Sequence, residues 1–170
     1  MEYPSGRVFR TYPSGAGPRH LLFHPNGRLA FLLYELGNIV SSFSWDSSRG
    51  FELIDKLPTI ENSCPISQAA AIRFTPDIKR IVVSNRGEDS LVVYDFDNLT
   101  GRLAFKARTC LAGGWPRDFM FVSENLALVA LERSGEVHML RYDAATGDFK
   151  TIATLGGLFR PVALCKGVDR

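Results

Sequence analysis

Arg19, His20, Glu35 and Arg86 are the residues of this sequence whose side-chain types could together do acid–base chemistry on an anion. A carboxylate can take a proton, and an imidazole can carry one near neutral pH. A guanidinium binds two oxygens of a phosphate or carboxylate at once, stays charged, and can face a developing oxyanion. Glu35 and Arg86 hold matching positions in an internal repeat. Two readings of that pair stand side by side: an ion pair between neighbouring repeat units, or part of a site with an anion clamp. In an extended strand Arg19 and His20 point to opposite faces, so one of them is expected to face the site, and Arg19 is the choice.

The elements that must position these residues read as short strands. Residues 81–94, IVVSNRGEDSLVVY, form two apolar runs around a polar tip, where Asn85, Gly87 and Asp89 supply turn chemistry. Asp89 and Ser90 are expected to cap that hairpin, with Arg86 at its mouth. From Pro18 onward, apolar runs of four to six residues alternate with turn signals at Pro25-Asn26-Gly27, Gly37-Asn38 and residues 46–50. A longer connection follows Pro58. Two further sets of strands begin near Ala70 and at Pro116.

The three sets are repeats. With Glu35, Arg86 and Glu132 aligned, apolar strand residues Phe43, Tyr94 and Leu140 fall at one offset, and Gly50, Gly101 and Gly147 at another. Those glycines close turns reading WDSSRG, FDNLTG and YDAATG. The third set departs from the pattern, because residues 122–125 replace its proline turn. The anchors lie 51 and 46 residues apart, close to the length of a four-stranded propeller blade, roughly 40–50 residues. The prediction is therefore all-β: an incomplete β-propeller of about three four-stranded antiparallel blades plus part of a fourth. The units are 1–17 as an N-terminal arm or edge strand, blades at about 18–60, 68–110 and 114–155, and 156–170 as the start of a further blade. Such a set leaves open edges, because propellers close with about 4–8 blades.

Composition narrows the partners. At 170 residues with 45% hydrophobic and 22% charged residues, the chain can bury a core and lies far from disorder. A net charge of +2 without a basic run argues against nucleic acid or an anionic membrane. No apolar run approaches the roughly 20 residues of a membrane span. Cys64, Cys110 and Cys165 form no ligand or disulfide pattern, so buried thiols and a cytoplasmic setting are expected. No metal or cofactor is called for by the candidate residues.

Taken in order, the segments GAGPRHLLFHPNGRLAF, YELGNIV, SNRGEDSLVVYDFDNLTGRL, GGWPRDF and RPVALCK resemble the lactonase family of seven-bladed propellers. That family includes the cycloisomerase-2 type 6-phosphogluconolactonases and the fungal carboxy-cis,cis-muconate cyclase. The resemblance runs from about residue 15 to 166 and implies a C-terminal half of a chain about twice as long. It implies catalytic roles for Arg19, Glu35 and Arg86, with His20 beside them, and a substrate-binding role for Arg117. A histidine that the family carries on an earlier blade has no counterpart here, so activity is expected to depend on further blades or on a homo-oligomer. The implied function is hydrolysis of a sugar lactone such as 6-phosphogluconolactone, in the pentose phosphate pathway. The alternatives are a muconate-lactonizing activity, or a propeller interaction module without catalysis.

Other polar residues have plainer readings. His24 belongs to a turn or to packing, and His138 to a sheet. Arg117 and Asp118 either pair locally or do not. Glu132 beside Arg133 reads as a solvated pair. Trp45 and Trp115 offer apolar area.

Overall fold

A computed structural model of the chain describes residues 15–61 and 66–167. The described residues form twelve strands and no helix. The first sheet holds β1 (Pro18–Phe23), β2 (Leu29–Tyr34), β3 (Ile39–Asp46) and β4 (Gly50–Pro58). The second holds β5 (Gln68–Phe74), β6 (Arg80–Arg86), β7 (Ser90–Phe96) and β8 (Leu103–Cys110). The third holds β9 (Pro116–Phe121), β10 (Leu126–Leu131), β11 (Glu136–Tyr142) and β12 (Phe149–Leu155). Every strand pairs antiparallel with its neighbour in sequence, which gives three meanders that do not close into a ring. This is the incomplete propeller that the repeat predicts.

The recurring turn has a shared mechanism. Asp46, Asp97 and Asp143 each accept two backbone N–H groups through one carboxylate oxygen: those of Ser48 and Arg49, Leu99 and Thr100, and Ala145 and Thr146. Such Asx turns fix the reversal locally. Gly50, Gly101 and Gly147 close them at φ of 82°, 74° and 89°, a region that favours glycine. Two β-bulges also recur in register. One falls in the innermost strands, where the pairing shifts between Pro18 and His20, between Ala69 and Ile72, and between Pro116 and Asp118. The other lies in the outermost strand of each sheet, where Ile54, Lys106 and Ile152 are the inserted residues.

The sheets pack face to face. Leu29, Phe31, Leu33 and Val40 of the first meet Ile72, Ile81, Val83 and Val92 of the second. On its other side the second sheet sets Val82, Leu91 and Val93 against Phe119, Val129, Leu131 and Leu140 of the third. A sheet covered on both faces needs unbroken apolar strands, which is why β6 and β7 read as Ile-Val-Val and Leu-Val-Val. Among the described residues, nothing gives the far face of the first sheet such cover. Leu21, Phe23 and Leu53 are exposed there, and the rings of Phe23, Trp45 and Phe51 cluster beside them.

Several expectations are corrected. The polar tip of the 81–94 hairpin is shorter than expected: β6 runs through Asn85 and Arg86, the turn covers residues 87–89, and Arg86 is only 4% exposed. Cys110 and Cys165 are exposed rather than buried, because one ends the outermost strand of its sheet and the other lies past the last strand. Cys64 and most of the expected N-terminal arm fall outside the described residues. Residues 156–167 form no strand, and run beside the third sheet through Leu158 N–H to Gly135 O and Leu164 N–H to Asp118 Oδ2.

Candidate active site

The innermost strands β1, β5 and β9 wall a cleft of about 570 Å³, closed on a further side by Val162 and Ala163. That volume suits a small metabolite. Arg19, His20, Arg73, Arg117 and Asp118 supply its polar lining. The inner bulge explains why. Arg19 and Arg117 are the inserted residues of β1 and β9, so the simple alternation of faces fails there, and a bulge re-aims the side chains beside it. Arg19 and His20 therefore both line the cleft, where the strand rule had allowed only one.

Behind Arg19 lies Glu35, immediately after β2. Its backbone N–H donates to Gly17 O at 2.7 Å, and its carbonyl accepts the Ala69 N–H at 3.1 Å, which ties the first sheet to the second. Its carboxylate takes Arg19 Nη1–H at 3.2 Å on Oε2 and an Arg86 Nη2–H on Oε1. Arg19 also donates from Nε to Ala70 O at 2.6 Å, and Arg86 from Nη2 to Ala69 O at 3.2 Å. The repeat alignment thus brought Glu35 and Arg86 together across a sheet boundary. It did not bring them to the cleft wall, which neither lines.

The electrostatics of the pair are one-sided. Burial pushes the Glu35 carboxyl up, but the hydrogen bond and charge of Arg86, followed by those of Arg19, outweigh it and hold the group below its ordinary range. Glu35 is a firmly ionised anchor and a weak base. The pKa of His20 falls as well, but for a base that favours the neutral form. Burial, then the charges of Arg19 and Arg73, lower its pKa, so its imidazole is neutral at pH 7, and its Nδ1 has no hydrogen-bond partner.

A second cluster repeats the first. Arg117 Nη1–H donates to Glu132 Oε2 at 2.8 Å, and Arg160 donates to Oε1. The hydrogen bond from Arg117 holds Glu132 below its ordinary carboxylate range, against the effect of burial. One open question is answered here and one expectation is overturned. Arg117 and Asp118 do not pair, because Asp118 Oδ1 accepts Arg73 Nη2–H at 2.9 Å from the second sheet. Glu132 is not half of a solvated pair: it is 3% exposed, while Arg133 stacks on Trp115 at 3.3 Å. His24 sits in its turn, its Nδ1 accepting the Asn26 N–H, and packs on Phe74 and Phe96. His138 lies buried in β11, against Glu136. Asp89 does cap its hairpin, accepting the Gly87 N–H at 3.0 Å.

Sequence reasoning missed Arg73, Asp118 as its partner, and Trp115. Trp115 adopts φ of 71°, a region a tryptophan rarely takes, and its N–H donates to Asp89 Oδ1. Its ring lies 5.7 Å from the Arg86 guanidinium. The equivalent residue of the first sheet is Gly17, at φ of 66°, and that Gly-Pro against Trp-Pro match was a usable signal. Among the described residues, no group of three or more His, Cys, Asp or Glu side chains gathers to hold a metal ion.

Three antiparallel four-stranded sheets, stacked around a cleft lined by their first strands, define an incomplete β-propeller with an arginine-rich cleft. The chain belongs to the family described as lactonase, 7-bladed beta-propeller, whose model matches residues 4–162. It is 31% identical over 159 residues to a 6-phosphogluconolactonase of Bacillus subtilis, covering 91% of this chain and 45% of that protein. Among solved structures, it superposes on a Lactobacillus plantarum protein with a TM-score of 0.81 at 30% identity, covering 89% of this chain and 45% of that one. A periplasmic gluconolactonase of Pseudomonas aeruginosa gives a TM-score of 0.83 at 29% identity, with 89% and 42% covered. The chain therefore spans less than half the length of these relatives.

Proposed function

We propose that the cleft is one wall of a site that hydrolyses a sugar lactone, 6-phosphogluconolactone being the substrate class that fits best. The observation that carries this reading is the pairing of a neutral, partly buried imidazole with a guanidinium held in place on the same cleft wall. Hydrolysis needs a water proton removed as its oxygen attacks the ring carbonyl, an oxyanion stabilised, and the ring oxygen protonated as the C–O bond breaks. His20 takes the water proton and returns it to the leaving alkoxide. Arg19 faces the oxyanion. Glu35 and Arg86 act as positioning residues that fix Arg19, and Arg117 binds the substrate. The remaining walls come from further blades, in the same polypeptide or in a partner copy. The uncovered apolar face of the first sheet supports that completion. A cytoplasmic place in the pentose phosphate pathway accords with this substrate.

The test follows loss of 6-phosphogluconolactone above its spontaneous rate with the chain as part of a completed propeller, and with its Arg19→Met and His20→Asn variants. The chain is expected to accelerate ring opening and each variant to lose about 10²-fold or more. Spontaneous rates throughout would sink the hydrolase reading. Acceleration that survives both substitutions would move the chemistry away from this wall.

A further inference from the structure

Arg73 departs from the repeat. Strand register aligns it with Leu22 in the first sheet and Met120 in the third, because Leu22 faces Phe31, Arg73 faces Val82 and Met120 faces Leu128. An arginine at a position that its sister blades fill with apolar side chains is not needed by the blade itself. Arg19 and Arg117, by contrast, hold the same bulge position, and each is committed to a glutamate.

The guanidinium of Arg73 lines the cleft with its side chain 39% exposed. One Nη2–H goes to Asp118, and Nη1 has only a 3.4 Å contact to the Ile72 carbonyl. No described partner takes its Nε–H. Asp118 is itself fixed, since its carboxylate accepts the Phe119 N–H at 2.9 Å and the Leu164 N–H at 3.0 Å. The carboxylate therefore holds one edge of the fork and leaves the other free for a bidentate oxyanion. Arg73 is also close enough for its charge to act on His20, which puts the two in one small space.

We infer that Arg73, oriented by Asp118, is the residue that selects a phosphorylated lactone over an unphosphorylated one, by binding the phosphate remote from the ring carbonyl. This rests on the lactone-site reading and deepens it. The relatives make the distinction concrete, since one is named for a phosphorylated lactone and another for gluconolactone. The stable hydrolysis products serve as probes. Binding of 6-phosphogluconate and of gluconate to the chain within the same completed propeller is measured by titration calorimetry, for wild type, Arg73→Met and Arg73→Lys. Wild type is expected to prefer the phosphorylated acid at least about tenfold, a difference of about 1.4 kcal/mol. Arg73→Met, which copies the third sheet, should bring the ratio close to one, and Arg73→Lys should keep part of it. Circular dichroism confirms that each variant is folded. A preference that persists in folded Arg73→Met overturns the assignment, as does wild type binding both acids equally, and in either case the lactone site itself survives. Wild type binding neither acid would overturn both readings.

Discussion

The two arginine–glutamate–arginine clusters use the same residue types, with the inner arginine 16 and 15 residues before its glutamate, and they differ in how they meet water. In the first, Arg86 is 4% exposed, shares Glu35 with Arg19, and has Trp115 nearby. In the second, the corresponding outer arginine is Arg160, on a segment without a strand, and it is 66% exposed. The first cluster is clamped between two packed sheets, whereas the second has a sheet on one side only. A repeat thus copies residue types and backbone register, while the neighbouring blade decides whether the outer arginine is enclosed. Enclosure raises the cost of breaking a pair and fixes the geometry of the arginine that faces the cleft.

This contrast can be broken at graded points. Glu35→Gln should do most, because it leaves Arg86 buried without a counter-charge. Two backbone carbonyls still accept from it, so the loss is expected at the low end for such a pair, about 3 kcal/mol in urea denaturation. Glu132→Gln should cost about 1–2 kcal/mol, since both of its arginines can turn to solvent. Equal losses at the two glutamates would show that enclosure does not distinguish the clusters. Arg160→Ala should change stability by less than about 1 kcal/mol, and added salt should shrink that effect further.

Acid separates the groups in a different way. His20 has a folded pKa below its ordinary value of 6.5, so the unfolded chain binds its proton first. Stability should fall as pH drops from 6.5 toward the folded pKa, and His20→Asn should flatten that part of the curve. Glu35 is depressed below its ordinary 4.5, so its contribution is present above that pH and is lost as pH falls through the folded pKa. Urea midpoints measured from neutral pH downward should show two descending limbs in wild type, with the lower one reduced in Glu35→Gln. A single limb unaffected by either substitution would contradict both assignments.

Much of the architecture was legible because its signals are local. An aspartate four residues before a glycine makes its turn from its own backbone, wherever the sheet lies, so Asp46, Asp97 and Asp143 announced the repeat. Glu35 and Arg86 could be matched by register alone, and the repeat placed them on adjoining sheets. What one register match could not give was which way each side chain points. The strand rule put Arg19 and His20 on opposite faces, but both line the cleft, because the bulge depends on pairing with β2. Adjacency in sequence suggested Arg117 with Asp118 and Glu132 with Arg133, but the ion pairs formed between sheets or across a hairpin.

The sequence by itself determined the all-β repeat, its turns, and the residue types around the axis, since these follow from backbone preferences and periodicity. Only the tertiary structure decided that Arg86 is enclosed, that Glu35 serves two arginines, and that Arg73 reaches the cleft. Those outcomes depend on distances between strands far apart in the chain. The charge of an arginine is written in its codon; whether it meets water, a carboxylate or a substrate is set by the sheet that packs beside it.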